Sequence, residues 1–161
     1  MIFVGIDPGI SGAVAFIYDD GTVDLNDMPI SSLQKKSGTG TKWQTDGYKL
    51  SGLLKRNERM AVFVEKVQSM PTDGHTGAFS FGQSYGTILG VLGALRITPD
   101  FVLPQVWKKH WGLIKTTKEG SRLKALEMWP AARPGLKRKK DHGRAEALLI
   151  AEYGRRNLWT L

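Results

Sequence analysis

MIFVGIDPGISGAVAFIYDDG, residues 1–21, holds two apolar runs around a glycine-punctuated turn. Ile2 to Ile6 is rich in β-branched and apolar residues, the composition of a buried strand. The run ends on a charge, Asp7. Gly9 and Gly12 then mark a tight turn, and Ala13 to Tyr18 is apolar again, a second strand. Asp19-Asp20-Gly21 carries a strong hairpin signal. Thr22 to Met28 alternates through Val23 and Leu25 as a half-exposed third strand.

Further along, Ser31 to Lys42 is polar and glycine-containing and reads as a loop. Asp46 to Asn57 places Leu50, Leu53 and Leu54 at helical spacing. Ala61 to Val64 is a continuous apolar run, a fully buried strand. Gln68 to Thr76 reads as a loop and Phe79 to Arg96 as a long helix. Asp100 to Leu103 is a short strand stopped by Pro104. Lys118 to Trp129 and Asp141 to Arg156 are helices. The order β-β-β-α-β-α-β-α-α predicts an α/β fold. Its mixed five-stranded sheet has three antiparallel strands, then parallel ones, and is flanked by helices. No repeat or boundary interrupts it, so residues 1–161 are expected to form one domain.

The chain has no cysteine, which excludes disulfides and thiolate metal sites. About 41% of residues are hydrophobic, enough for a sizeable core. A basic leader is lacking and Asp7 interrupts the first apolar run, so neither a signal peptide nor a membrane span is expected. These features point to a cytoplasmic protein of a bacterial or phage-infected cell. Charge is uneven: residues 1–100 hold 9 basic and 10 acidic side chains, residues 101–161 hold 14 and 5. A basic half beside a neutral one points to a polyanion, most often nucleic acid.

Asp7 and Glu65 each close an apolar run. On neighbouring parallel strands their carboxylates would meet at one sheet edge, where open α/β sheets keep their sites. Two such carboxylates repel unless a cation lies between them, and Mg²⁺ or Mn²⁺ suits oxygen donors. At the start of the last helix, His142 and Glu146 share a face. Asp141 is also a good N-cap, a use that would consume its carboxylate.

Gly5-Ile6-Asp7-Pro8-Gly9 with Ser11-Gly12, then VFVEKVQSMP, PQVWKKHWG and KDHGRAEALLIAEYGRR, resemble in order the RuvC family of Holliday-junction resolvases. Phage- or prophage-type members are the best match. The resemblance implies an RNase H-like fold, a two-fold dimer, and cleavage of four-way DNA junctions by paired symmetric nicks. It also implies two metal ions, about 3.5–4 Å apart, hydrolysing the phosphodiester. By motif match Asp7, Glu65 and Glu146 take three of the four ligand positions. The family's remaining acid or histidine falls here on Gly143, so the fourth ligand is His142 or Asp141. Lys137, Arg138, Lys139, Lys140 and Arg144 would hold DNA phosphates, and Lys108 and Lys118 resemble basic positions of the family.

Trp107 and Trp111 read as core rather than base-stacking platforms. Met70 is a candidate wedge at the branch point, and equally a loop-packing residue. Gly82, Gly86 and Gly90 lie on one helical stripe and call for close packing, against the sheet or a second subunit. A nucleotide cofactor is not expected: an actin-like ATPase needs two such domains, and the Rossmann glycine spacing is not met. The rival readings are an RNase H-like nuclease for flaps, RNA–DNA hybrids or RNA, and a non-catalytic DNA-binding module.

Overall fold

The computed structural model describes residues 1–33, 41–68 and 74–157. In chain order the strands are β1 (Ile2–Asp7), β2 (Ala13–Ile17), β3 (Val23–Asp27), β4 (Ile30–Leu33), β5 (Lys42–Thr45), β6 (Met60–Glu65) and β7 (Asp100–Val102). The helices are α1 (Gly47–Leu54), α2 (His75–Ala94), α3 (Pro104–His110), α4 (Lys118–Met128) and α5 (His142–Asn157). Five strands form one sheet in the order β3-β2-β1-β6-β7, and β4 pairs with β5 separately. β1 is antiparallel to β2 and parallel to β6, with Ile6 opposite Val64. The expected mixed sheet is therefore present.

Both faces of the sheet are covered, which is why β1 and β6 read as unbroken apolar runs. Val4, Ile6, Val62 and Val64 pack toward α1 and α2 with Leu50, Leu54, Ile88 and Leu92. Phe3 and Phe63 pack on the other side with α5, whose Ala147 to Ala151 are all buried. Burying each large aliphatic side chain contributes about 1.5–3 kcal/mol. Helix α5 lies directly on β1: a Cβ on Gly5 would stand 2.0 Å from the Ala147 carbonyl oxygen. Gly5→Ala would therefore push α5 off the sheet.

Three local expectations are corrected. Ser31 to Lys42 is not loop throughout: Ile30–Leu33 and Lys42–Thr45 are paired strands. Their Ser, Gln and Lys content hid the alternation. Pro104 does stop β7, but it also occupies the first turn of α3, where its missing N–H costs nothing. Helix α2 begins at His75, inside the segment expected as loop. Residues 69–73, with Met70, lie outside the described residues.

The glycine stripe does not pack on its own sheet. The buried positions of α2 are Ser84, Ile88 and Leu92, two residues out of phase with Gly82, Gly86 and Gly90. A Cβ on any of those three glycines would meet no atom within 4 Å. Among the described residues, no helix is long and apolar enough to cross a membrane.

Candidate active site

Asp7 and Glu65 end the adjacent parallel strands β1 and β6, one residue past the Ile6–Val64 pair. Strand alternation turns both toward α5, since Ile6 and Val64 face the opposite side. The Asp7 carboxyl is pushed well above the usual carboxylate range. Burial is the main cause, reinforced by the charges of Glu146 and Glu65 and opposed by Lys108 and Lys118. Burial also raises Glu65; a hydrogen bond from Trp107 and the Lys108 charge oppose it.

The third carboxylate, Glu146, comes from the second turn of α5. Ser121 Oγ, buried on α4, donates to its Oε1 at 3.1 Å, and Lys108 Nζ lies 3.8 Å away. The same ammonium sits 5.1 Å from the centre of the Trp107 ring. Trp107 is fully buried, as expected, but its indole N–H also donates to Glu65 Oε2 at 2.7 Å. One turn of α3 thus supplies a donor to Glu65 and a cation to Glu146.

Gly143 has a steric cause. A Cβ there would lie 2.5 Å from the Ser11 carbonyl oxygen and 3.3 Å from Asp7 Oδ2. Helix α5 enters too close to the β1–β2 turn for any side chain at that position.

The two candidates beside it differ. His142 lines a cleft with Asp7, Glu146, Lys118 and Phe81. Asp141 does not line it. Its carboxylate is buried and accepts from Arg138 Nε, Nη2 and backbone N at 3.0, 2.7 and 2.7 Å. Burial alone would raise Asp141, but these bonds and the Arg138 and Arg144 charges hold it below its ordinary value. Arg144 is likewise engaged: its guanidinium clamps Asp27 at 2.6 and 2.7 Å and donates to the Gly135 carbonyl at 3.2 Å. It ties edge strand β3 to α5. Lys118 is in the cleft, Lys137, Lys139 and Lys140 are exposed on the approach to α5, and Arg138 is spent on Asp141.

Among the described residues, no three His, Asp or Glu side chains converge as a finished metal cage. The carboxylates do lie close enough for Glu146 and Glu65 to push Asp7 up, and for Glu146 to push Glu65 up. That mutual repulsion, together with an all-oxygen acid set, is what a hard divalent cation would relieve.

The same arrangement of strands and helices occurs elsewhere. RuvC of Thermus thermophilus superimposes with a TM-score of 0.63, at 17% identity, over 99% of this chain and 96% of that one. That structure is described as a complex with Holliday junction substrate. A second Thermus thermophilus RuvC structure gives 0.56 at 18% identity. The fold is that of RuvC. In sequence, the chain is 36% identical over 92 residues to "Holliday junction resolvase MOC1, chloroplastic" of Chlamydomonas reinhardtii. That stretch is 56% of this chain and 10% of the relative. No protein-family model matches.

Within this RuvC fold, sequence reasoning missed Ser121, the hydrogen-bonding role of Trp107, and Asp27 as the partner of Arg144. Ser121 sits on α4 at a buried position usually held by an apolar residue, a signal for a buried polar partner. Asp27 gave none, since its partner lies 117 residues away.

Proposed function

We propose that the chain is a single nuclease domain, residues 1–161, that resolves four-way DNA junctions as a homodimer by paired symmetric nicks. The observation that carries this is electrostatic. Asp7 and Glu65, on β1 and β6, are both raised in part by the charge of Glu146 on α5, at the carboxyl edge of a RuvC fold and beside lysines suited to a polyanion. The last-helix segment is the feature that favours phage- or prophage-type members.

Asp7, Glu65, Glu146 and His142 would hold Mg²⁺ or Mn²⁺, two ions per site. The ions would supply Lewis-acid stabilisation of the phosphate and a nucleophile at neutral pH. Asp141 is spent on Arg138 instead, so His142 is the fourth ligand in this reading. Trp107 holds Glu65 in place, and Ser121 holds Glu146. Lys108 and Lys118 lie beside the acids, where they balance their charge and contact the phosphate flanking the cut. Lys137, Lys139 and Lys140 hold the DNA arm. The open glycine side of α2 is where the second subunit packs.

The test is cleavage of a four-way junction, a flap, an RNA–DNA hybrid and plain duplex, each with Mg²⁺ and with chelator. Paired nicks confined to the junction, lost with chelator and in Asp7→Asn, are expected. Equal cutting of hybrid or duplex, or full activity of Asp7→Asn, overturns the proposal.

A further inference from the structure

Phe81 has a second side. One part of its ring lines the cleft of Asp7 and Glu146, against the Gly9 turn, where a Cβ would lie 3.2 Å from the ring. The other lines a separate cavity of about 400 Å³. That cavity opens at the carboxyl ends of β6 and β7. Its walls include Glu65, Gln68, Phe81, Leu103, Pro104 and Gln105.

Its chemistry is specific. Phe81 and Leu103 are large apolar residues left 36% and 45% exposed. Gln68 and Gln105 bring two amides, and neither has a hydrogen-bond partner among the described residues. Lys66 is the one cation that lines it, and Glu65 the one anion. A phosphate therefore finds no excess positive charge here. A flat ligand with apolar faces and a hydrogen-bonding edge fits better. The volume lies within the range of about 300–1,000 Å³ usual for such sites.

We propose that this cavity takes one unstacked nucleobase, from a nucleotide next to the scissile phosphate. The base stacks on Phe81, and Gln105 and Gln68 read its edge. This rests on the nuclease reading above and deepens it. Phe81 lines both spaces, and Glu65, whose charge acts on Asp7, lines the cavity, so the base pocket adjoins the acid cluster and a seated base fixes the register of its phosphate. A base within a duplex cannot enter. A base at a branch point can, because its stacking is already broken. Glutamine amides pair with base edges and aromatic rings stack on base faces.

The experiment uses the full chain and a junction set in which each nucleotide flanking the cut is varied through four bases and an abasic site. One position is expected to matter. Its abasic form should be cut roughly ten-fold more slowly, the size of one lost stacking contact. Gln105→Ala should flatten the preference among bases at that position. Phe81→Leu should slow cutting of the intact junction to the abasic rate, and Phe81→Tyr should restore it. Junction cleavage indifferent to every abasic site, or an unchanged base preference in Gln105→Ala, overturns the pocket while leaving the nuclease reading intact. No cleavage of any junction overturns both.

Discussion

Replacing Trp107 by phenylalanine separates a core residue from a site residue. The indole is fully buried and its N–H reaches Glu65 Oε2 at 2.7 Å. Phenylalanine keeps an aromatic ring but lacks the donor and leaves a void. Removing a whole buried tryptophan side chain costs about 3–5 kcal/mol, so the partial loss costs about 1–2 kcal/mol. A hydrogen bond to a charged group adds about 1.5–3 kcal/mol. For a chain of this size each kcal/mol moves Tm by about 2–4 °C, so a drop of roughly 5–20 °C is expected. The functional effect is distinct. A side chain that orients a metal ligand is worth about 10–100-fold in metal affinity or activity.

The assay is junction cleavage titrated with Mg²⁺, below the Tm of every variant. Leu54→Ala is the control, since Leu54 is fully buried in the cluster on the opposite face of the sheet. Trp107→Phe should shift the Mg²⁺ half-saturation point upward by that factor, and Leu54→Ala should lower Tm alone. An unchanged Mg²⁺ requirement in Trp107→Phe, or an equal shift in Leu54→Ala, refutes a positioning role for the indole.

Other outcomes follow from the same geometry. The folded-state pKa of Asp7 is raised, so its contribution to stability is full in acid and is lost as pH rises through that value. In chelator, Asp7→Asn should melt above wild type at neutral pH, the gap closing in acid; equal melting at all pH values contradicts the buried-charge account. Asp141 is lowered, so its contribution is full at neutral pH and fades as pH falls through its folded-state value. Asp141→Ala should lose about 1.5–3 kcal/mol in a denaturant titration, the worth of hydrogen bonds to a charged group, yet still cleave. His142→Ala should fold normally and fail to cleave; the reverse pattern would make Asp141 the ligand. Lys139→Ala and Lys140→Ala should each lower the salt slope of junction binding by about one, measured by fluorescence anisotropy in the Asp7→Asn background. Gly143→Asp should cost about 1–3 kcal/mol through overpacking against Ser11 and should not raise activity.

The strands carrying Asp7 and Glu65 were legible because each is a buried apolar run ended by a charge. The place of Glu146 was legible from its i, i+4 relation to His142 and from its motif. Choosing between Asp141 and His142 was not, because whether Asp141 is free depends on where Arg138 folds back. The β4–β5 pair escaped because polar strands leave no periodic trace. Helix α3 escaped because Pro104 signals a stop and a start alike. Arg144 looked free for DNA because a sequence does not reveal that Asp27 stands across from it.

Helix α2 keeps its apolar side to the sheet and presents bare backbone on the other. Gly82, Gly86 and Gly90 each forgo about 1 kcal/mol of helix propensity relative to alanine. No side chain there shields the carbonyls from water. Its amide protons should exchange with solvent sooner than those of α5, whose middle turns are wholly enclosed. Anything that dries this side of α2 steadies the helix, and through it the ring of Phe81 at its N-terminal end.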